Sequence, residues 1–324
     1  MILAIALIIL APATIFGNVF CLLVIHKDVQ GISDIARIFM QSLTIADLFT
    51  GIFVITPTIG AAFTDTWPYS YTYCEISAFT VTLFNSCSVL SLMFVNVERY
   101  IAIEWPLHYT TILTPFRARV SVVVLWIFGF GWASLHVFRP GQIARYHQGI
   151  FMCVADPVNV HTPDITSIVW AMLFFGFPCL LTVCMFLRLC SISRKHARQI
   201  DANESVLRQV ENNAVNKFRR NEFKTTITFF ILTLILIITY IPASVIMTLD
   251  SLDVSLTQWM WETSILLMLS NSSVNIVVYS IRNKYFRLRA KQLLGVAAIE
   301  NGNGATSRAT AGIRSHRLGP GALP

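Results

Sequence analysis

Few side chains of this sequence have the type and surroundings that chemistry requires. Asp47 is a carboxylate inside a long apolar stretch, where a charged side chain is costly and normally marks a functional position. A catalytic site at that depth would need a partner such as a histidine, a Ser–Lys pair or a second aspartate. Asp47 has no such partner in the apolar stretches, His136 lies near one end of another stretch, and the seven cysteines lack zinc-ligand spacing. The sequence therefore predicts that the protein is not an enzyme.

A second group of charged residues stands at the end of another apolar stretch. Glu98, Arg99 and Tyr100 are consecutive, and Pro106 and Leu107 follow them. Taken alone, a Glu–Arg pair at a helix end is an ordinary interfacial pair, because long basic side chains reach from the membrane to the headgroups. The meaning of this group therefore depends on the elements that position it.

The composition indicates that most of the chain lies in a membrane. Of its 324 residues, 55% are hydrophobic and 13% are charged, whereas roughly a quarter are charged in a soluble domain. A helix needs about 20 apolar residues to cross the hydrocarbon core. We predict an all-α membrane protein, a seven-transmembrane-helix bundle whose spans one to seven cover residues 2–26, 36–63, 76–103, 118–138, 165–190, 223–249 and 257–281.

The basic residues define the orientation of these spans. Of the 24 Lys and Arg residues, only Arg139 and Arg145 fall in connections on one side of the membrane. The positive-inside rule makes the other side cytoplasmic. We expect a multi-pass protein of the plasma membrane with an extracellular N-terminus and a cytoplasmic C-terminus. The net charge of +7 follows from this topology, so we expect no nucleic-acid partner.

Short connections between the first four spans predict one domain of antiparallel neighbouring helices over residues 1–294. Two longer segments, 139–164 outside and 191–221 inside, are predicted as loops. After span seven, apolar and basic residues alternate at helical spacing, which predicts an amphipathic eighth helix over 283–294 on the inner leaflet. Residues 295–324 are rich in Gly, Ala, Asn, Ser and Arg, and we interpret them as a disordered cytoplasmic tail.

The chain resembles the rhodopsin-like (class A) G-protein-coupled receptors over about residues 10–294. The resemblance depends on landmarks that recur in separate spans and that chance rarely supplies together: Gly17-Asn18, Leu43, Ala46, Asp47, Glu98-Arg99-Tyr100, Trp126, Pro178, Pro242 and Asn275 to Tyr279. It implies a receptor that passes an extracellular or membrane-derived signal to a heterotrimeric G protein, with the lipid bilayer and arrestin as further partners.

The resemblance also implies roles for individual residues. Cys74 and Cys153 would form a disulfide on the oxidising outer side. Glu222 lies 20 residues before Pro242, about 30 Å along span six, where it would meet Arg99 and hold the resting state. The alternative for Glu222 is a solvated carboxylate among neighbouring basic residues. The predicted coupling and activation set is Glu98, Arg99, Tyr100, Leu107, Glu222, Asn275 and Tyr279.

Asp47 has two interpretations, and the sequence leaves both open. By register, the sodium pocket of the family corresponds to Asp47, Ser88, Asn271 and Asn275, which would hold an allosteric sodium ion. Alternatively, Asp47 is protonated and hydrogen-bonded to Asn18 and Asn275 in a packing network. We expect no other cofactor.

Four positions depart from the family pattern. In span seven, Ile276 replaces the usual proline. In span six, Tyr240 replaces the usual tryptophan and Leu236 the usual phenylalanine, and in span five Phe186 replaces a tyrosine. We therefore expect altered switching and unusual basal activity. Val81 stands where amine receptors have aspartate, and Leu269 stands where opsins have the retinal lysine, so we expect neither of those ligands.

The predicted ligand pocket suits a small neutral or lipid-like ligand and is lined by Val81, Thr82, Asn85, Tyr240, Ser244, Met247 and Ile265. Within the family, several stretches look most similar to a small vertebrate orphan subgroup linked to Gs. In such receptors the second outer loop can fold over the pocket, and here it contains Tyr146, His147, Ile150, Phe151 and Met152.

Two other classes of protein remain as alternatives. A transporter or channel would also have many spans and a basic inner face. Transporters usually contain repeated halves, and this sequence shows no internal repeat. The other alternative is a decoy receptor that binds ligand without coupling to a G protein.

Overall fold

The computed structural model describes residues 2–26, 32–157, 169, 172–203, 212–250 and 254–294. Within these ranges, six helices are long and apolar enough to cross a membrane: Ile2–Ile25, Asp34–Thr64, Tyr71–Glu104, Pro115–Phe138, Thr226–Asp250 and Gln258–Arg282. They correspond to predicted spans one to four, six and seven. A shorter apolar helix, Phe177–Ile192, is the described part of span five.

The complete helices extend beyond several of these apolar cores. Span two consists of helix Asp34–Thr50, a π-helical segment Gly51–Ile55 and helix Thr56–Thr64. Span five consists of a π-helical segment Met172–Gly176 and helix Phe177–Asn203, and span six is helix Asn212–Asp250. The remaining helices are a short inner-loop helix, Tyr109–Ile112, and the amphipathic helix, Lys284–Leu293.

Side-chain caps determine where several helices begin. At the start of span two, the Ser33 hydroxyl accepts a hydrogen bond of 3.0 Å from the backbone N–H of Ala36. The Thr114 hydroxyl accepts the N–H of Arg117 at 3.2 Å at the start of span four. The first N–H groups of a helix have no partner within it, so a hydroxyl at this position stabilises the helix end.

Small residues allow the spans to approach each other closely. A Cβ added to Gly51 would lie 2.9 Å from Ile15 of span one, and one added to Gly129 would lie 2.9 Å from the sulfur of Cys87 of span three. Lipid removes the hydrophobic drive for helix association, so van der Waals packing at such small residues contributes much of the stability.

Two apolar clusters form the interior of the bundle. The outer cluster includes Leu83, Phe84 and Trp261, and the inner cluster includes Leu43, Phe229 and Tyr279. In span two, Leu43 belongs to the inner cluster and Ala46 to the outer one. The next residue, Asp47, therefore lies near the boundary between them.

The structure corrects two loop predictions. Within the outer segment 139–164, the chain forms an antiparallel hairpin of β1 (Gln142–His147) and β2 (Met152–Pro157), with Tyr146 opposite Cys153. The inner segment 191–221 is largely helical, because span five continues to Asn203 and span six begins at Asn212. Arg, Lys, Gln and Glu are good helix formers, so both helices continue past the membrane into water. The predicted tail 295–324 lies outside the described residues.

Candidate functional site

The inner end of span three is a closed polar cluster. Arg99 and Glu98 are buried, with 1% and 0% exposure. The Arg99 guanidinium donates to the Glu98 carboxylate from two nitrogens, and it donates to the Ser33 hydroxyl at 2.9 Å. The Ser33 hydroxyl in turn donates to Glu98 at 2.7 Å. Because Arg99 is almost fully covered, a protein that approaches this end of the bundle cannot touch it in this conformation.

Tyr109 of the inner-loop helix completes this cluster. Its hydroxyl donates to the Glu98 carboxylate. Burial and the negative charge of Glu98 raise the pKa of the Tyr109 hydroxyl above its ordinary value, so the hydroxyl remains a proton donor. The sequence analysis did not identify Tyr109 or Ser33. A signal was present for Ser33, since it precedes a helix as a capping residue, but only the fold brings both side chains to Glu98.

The other predicted coupling residues have different surroundings. Tyr100 packs edge-on against Trp105, with ring centroids 5.7 Å apart. Leu107 is 89% exposed, so it protrudes from the inner surface. The side chain of Glu222 lies outside the described residues, so its predicted contact with Arg99 stays a prediction.

Asp47 is fully buried, and both of its carboxylate oxygens have partners. The Ser88 hydroxyl donates to Oδ1 at 3.0 Å, and the Asn275 amide donates to Oδ2 at 2.6 Å. Asn18 donates to the backbone carbonyl of Ser272 at 3.0 Å, which links span one to the same region of span seven. The fold thus brings Asp47, Ser88 and Asn275 together, and of these contacts only the one with Asn275 belongs to both interpretations of Asp47.

The other predicted residues of span seven are also buried. Asn271 lies one turn before Asn275 in an uninterrupted helix. Tyr279 packs against Phe229 of span six and Phe286 of the amphipathic helix, with ring centroids 6.0 and 6.2 Å apart. Span seven is therefore joined to span six and to the amphipathic helix at the inner end.

On the outer half, the structure brings some predicted pocket residues together. The Tyr240 hydroxyl donates to the Asn85 side chain at 3.2 Å, so these two residues join spans six and three. Ile265 is buried in the outer cluster, and Thr82 is buried with its hydroxyl bonded to the Ala78 carbonyl of its own helix. Val81 packs against the outer cluster. Ser244 and Met247 are exposed and do not contribute to this packed region.

Three residues of the second outer loop are buried in the outer cluster. Ile150, Phe151 and Met152 are 3%, 3% and 1% exposed, and they belong to the same apolar cluster as Phe84 and Trp261. The loop is therefore buried like an interior element, although it connects two helices across the surface.

Four contacts hold this loop in place. The predicted disulfide between Cys74 and Cys153 is present and joins the outer end of span three to β2. The Gly149 backbone lies against the Trp261 indole, and a Cβ there would be 2.7 Å from the ring. The His147 ring lies 4.7 Å from the Trp261 ring, centroid to centroid, and its Nε2 is 3.4 Å from the Asp250 carboxylate. The loop is thus tied to spans three, six and seven.

Comparisons with known proteins agree with this architecture. The chain is 26% identical to the probable G-protein coupled receptor 21 of Homo sapiens, over 95% of this chain and 88% of that receptor. It is 27% identical to the G-protein coupled receptor 52 of Bos taurus, over 89% of this chain and 80% of that receptor. The histamine H2 receptor of Cavia porcellus is 23% identical, over 90% of this chain and 78% of that receptor.

A solved structure shows the same fold. The crystal structure of squid rhodopsin superposes with a TM-score of 0.78 at 16% identity, covering 91% of this chain and 85% of that chain. The family model of the 7 transmembrane receptor (rhodopsin family) matches residues 17–279, which is most of the chain. The chain therefore belongs to the rhodopsin family of seven-transmembrane receptors, and it is a multi-pass G-protein-coupled receptor and not an enzyme.

Proposed function

We propose that this receptor couples to Gs and signals without added ligand, because its own second outer loop occupies the ligand site. The observation that carries the proposal is the burial of Ile150, Phe151 and Met152 in the outer cluster. A ligand acts on a receptor by binding one conformation better than another. A seated loop would have the same effect if its contacts are stronger in the open conformation than in the closed one that this structure shows. The choice of Gs rests on the resemblance of stretches 106–120, 139–157 and 275–288 to a Gs-linked orphan subgroup.

The packing suggests how the loop acts on the inner face. The loop contacts Trp261 of span seven and Asp250 at the end of span six. Lower in the bundle, Tyr240 of span six is bonded to Asn85 of span three. A change in the loop would thus alter how spans six and seven pack on span three. At the inner end, release of Arg99 from Glu98 would expose it to the G protein.

Leu107 is the proposed docking residue on the cytoplasmic face. Leu107 is exposed on a short inner loop, and an apolar anchor of this kind suits a protein interface; the alternative is packing of the side chain at the membrane surface. We propose that the G protein, and also arrestin, contacts this surface. The Arg99–Glu222 pair is a proposed resting contact at the same end of the bundle.

Docking of a G protein at this end requires a cytoplasmic C-terminus, an extracellular N-terminus and a location in the plasma membrane, and we propose all three.

A ligand that displaces the loop would be small and neutral or lipid-like, because the lining is apolar with few polar groups. The likeness to a histamine receptor does not extend to an amine site, since Val81 replaces the aspartate that amine receptors carry. Asn85 and Tyr240 are the polar groups that such a ligand would meet.

We also propose that a sodium ion binds beside Asp47. The residue types fit such an ion, because the Asp47 carboxylate, the Ser88 hydroxyl and the Asn271 amide offer oxygen ligands; Asn275 donates its amide hydrogen to Asp47 here and would have to turn its oxygen toward the ion. When bound, the ion would supply a positive charge that offsets the buried carboxylate. The test is the Tm of purified receptor in NaCl and in choline chloride. A higher Tm in sodium that disappears in Asp47→Asn supports the ion; equal values in the unmodified receptor support the hydrogen-bonded network instead.

The test of the main proposal is basal cyclic AMP in cells that express the receptor, normalised to its surface amount. We expect a signal above untransfected cells that is lost in Arg99→Ala. We also expect Phe151→Ser to lower it, because the variant places a polar group in the apolar cluster. Arg145→Ala, on an exposed position of the same hairpin, is the matched control. A signal that is equal in the receptor and in Arg99→Ala would refute coupling.

A further inference from the structure

A hydrogen bond within the membrane joins the inner halves of spans three and six. The Asn96 amide donates to the Thr233 hydroxyl at 2.9 Å and to the Leu92 carbonyl of its own helix at 3.0 Å. The Thr233 hydroxyl donates to the Phe229 carbonyl at 3.2 Å. Both side chains are buried, with 7% and 4% exposure. Each amide hydrogen of Asn96 therefore has a partner, and one of those partners lies on the neighbouring span.

The position of this bond relates it to activation. Asn96 precedes Arg99 by three residues, so the two side chains lie about one turn apart on the same side of span three. Nearer the outside, Asn85 of span three is bonded to Tyr240 of span six. The two bonds are 11 residues apart on span three, or about 16 Å. They clamp the two helices at two heights.

A small gap in the packing lies beside the bond between Asn96 and Thr233. Thr233 lines a small apolar gap between spans three, five and six, together with Val89, Leu92, Pro178 and Leu236. Because a hydrogen bond is directional, the Asn96–Thr233 bond at the edge of the gap favours one arrangement of span six against span three.

We propose that the Asn96–Thr233 bond is a neutral tether that holds the inner half of span six against span three while Arg99 is covered. It opens when span six moves to admit the G protein. The tether is distinct from any ion pair at the end of the helices, because neither group carries a charge. Its effect on signalling rests on the proposed coupling, but its effect on span six does not.

The first test compares Thr233→Val with Thr239→Val. Valine has nearly the volume of threonine, so Thr233→Val removes the acceptor and leaves one Asn96 hydrogen unpaired. Thr239 is the matched control, because it is buried in the same span and, among the described residues, its hydroxyl bonds only to carbonyls of its own helix, Ile235 and Leu236. Hydrogen bonds between membrane helices shift an equilibrium by about threefold on average and up to about twentyfold. We expect a shift of that size toward the open state in Thr233→Val alone.

Two measurements report it. Hydrogen–deuterium exchange of purified receptor over residues 226–238 reports the opening of span six without a G protein, and basal cyclic AMP reports signalling. Faster exchange in Thr233→Val but not in Thr239→Val supports the tether. Equal exchange in both variants overturns it. Faster exchange with unchanged cyclic AMP supports the tether and shows that its opening does not limit signalling, whereas coupling itself is decided by the comparison with Arg99→Ala.

A double-mutant cycle protects the test against general destabilisation. Asn96→Ala removes the hydrogen-bond donor. Thr233→Ser keeps a hydroxyl at the acceptor position and removes only the methyl group. If the bond joins the two residues, the effects of Asn96→Ala and Thr233→Val on exchange are not additive, and Thr233→Ser behaves like the unmodified receptor. Additive effects, or faster exchange in Thr233→Ser as well, would overturn the tether.

Discussion

Replacing Gly149 by alanine tests whether the seated outer loop drives basal signalling. Gly149 has an ordinary backbone conformation, since Gly141 alone among the described glycines has a positive φ. The substitution therefore acts by steric contact alone. The new Cβ would lie 2.7 to 2.9 Å from three atoms of the Trp261 indole. An ordinary contact is about 3.4 to 4 Å, so the loop or the indole must move by about 1 Å.

The free-energy cost of this movement can be estimated from the measured cost of overpacking a protein interior. Extra methyl groups in packed interiors cost about 1–3 kcal/mol. Because 1.4 kcal/mol is a factor of ten in an equilibrium, the ratio of seated to displaced loop should fall about 5- to 150-fold. If the seated loop is the internal agonist, basal cyclic AMP falls with it, and the Tm of purified receptor falls by several degrees.

The controls separate this effect from a general effect of alanine. Gly131→Ala adds the same methyl group in span four, where no atom lies within 4 Å of the new Cβ. We expect this variant to be neutral or slightly stabilising, because alanine favours a helix over glycine. Combining Gly149→Ala with Trp261→Phe should restore part of the signal, since the smaller ring leaves room. If Gly149→Ala melts and signals like the unmodified receptor, the loop is not held as described.

Three further predictions concern other contacts. Tyr109→Phe removes a hydrogen bond to a buried carboxylate, which contributes about 1.5–3 kcal/mol, so basal cyclic AMP should rise; a decrease would show that the contact with Glu98 does not favour the resting state. Leu107→Ala should lower cyclic AMP several-fold while the Tm stays constant, because the side chain is 89% exposed; a lower Tm would indicate a folding role instead. Cys153→Ser should lower both the Tm and basal signal, because loss of the bond to Cys74 costs about 2–5 kcal/mol; unchanged basal signal would separate the loop from activation.

The number and type of the main elements could be predicted from sequence because the membrane imposes a simple rule. Backbone groups in hydrocarbon must be paired within a helix, so an apolar stretch of sufficient length has one common solution. The predicted bounds of span four, 118–138, differ by three residues from helix Pro115–Phe138. The same rule does not apply in water, which explains the two errors: the outer hairpin and the helical extensions over 191–221.

The candidate site was predictable where a residue type was unusual for its surroundings. A carboxylate in an apolar stretch marked Asp47, and a cysteine on each outer segment marked the disulfide of Cys74 and Cys153. The pairing of Asn96 with Thr233 could not be predicted in this way, because neutral polar residues are common in membrane helices. Their partnership depends on the rotation of span six against span three.

The sequence by itself determined that the chain is a bundle of membrane helices and which residues could bear charge at depth, and it predicts which way the bundle faces. These properties depend on transfer from water to lipid, which acts on each segment separately. Only the tertiary structure decided which side chains meet: Tyr109 with Glu98, Gly149 with Trp261, and Asn96 with Thr233. Such contacts depend on helix rotation and on loop paths to within about 1 Å, because hydrogen bonds and van der Waals contacts weaken steeply over that distance.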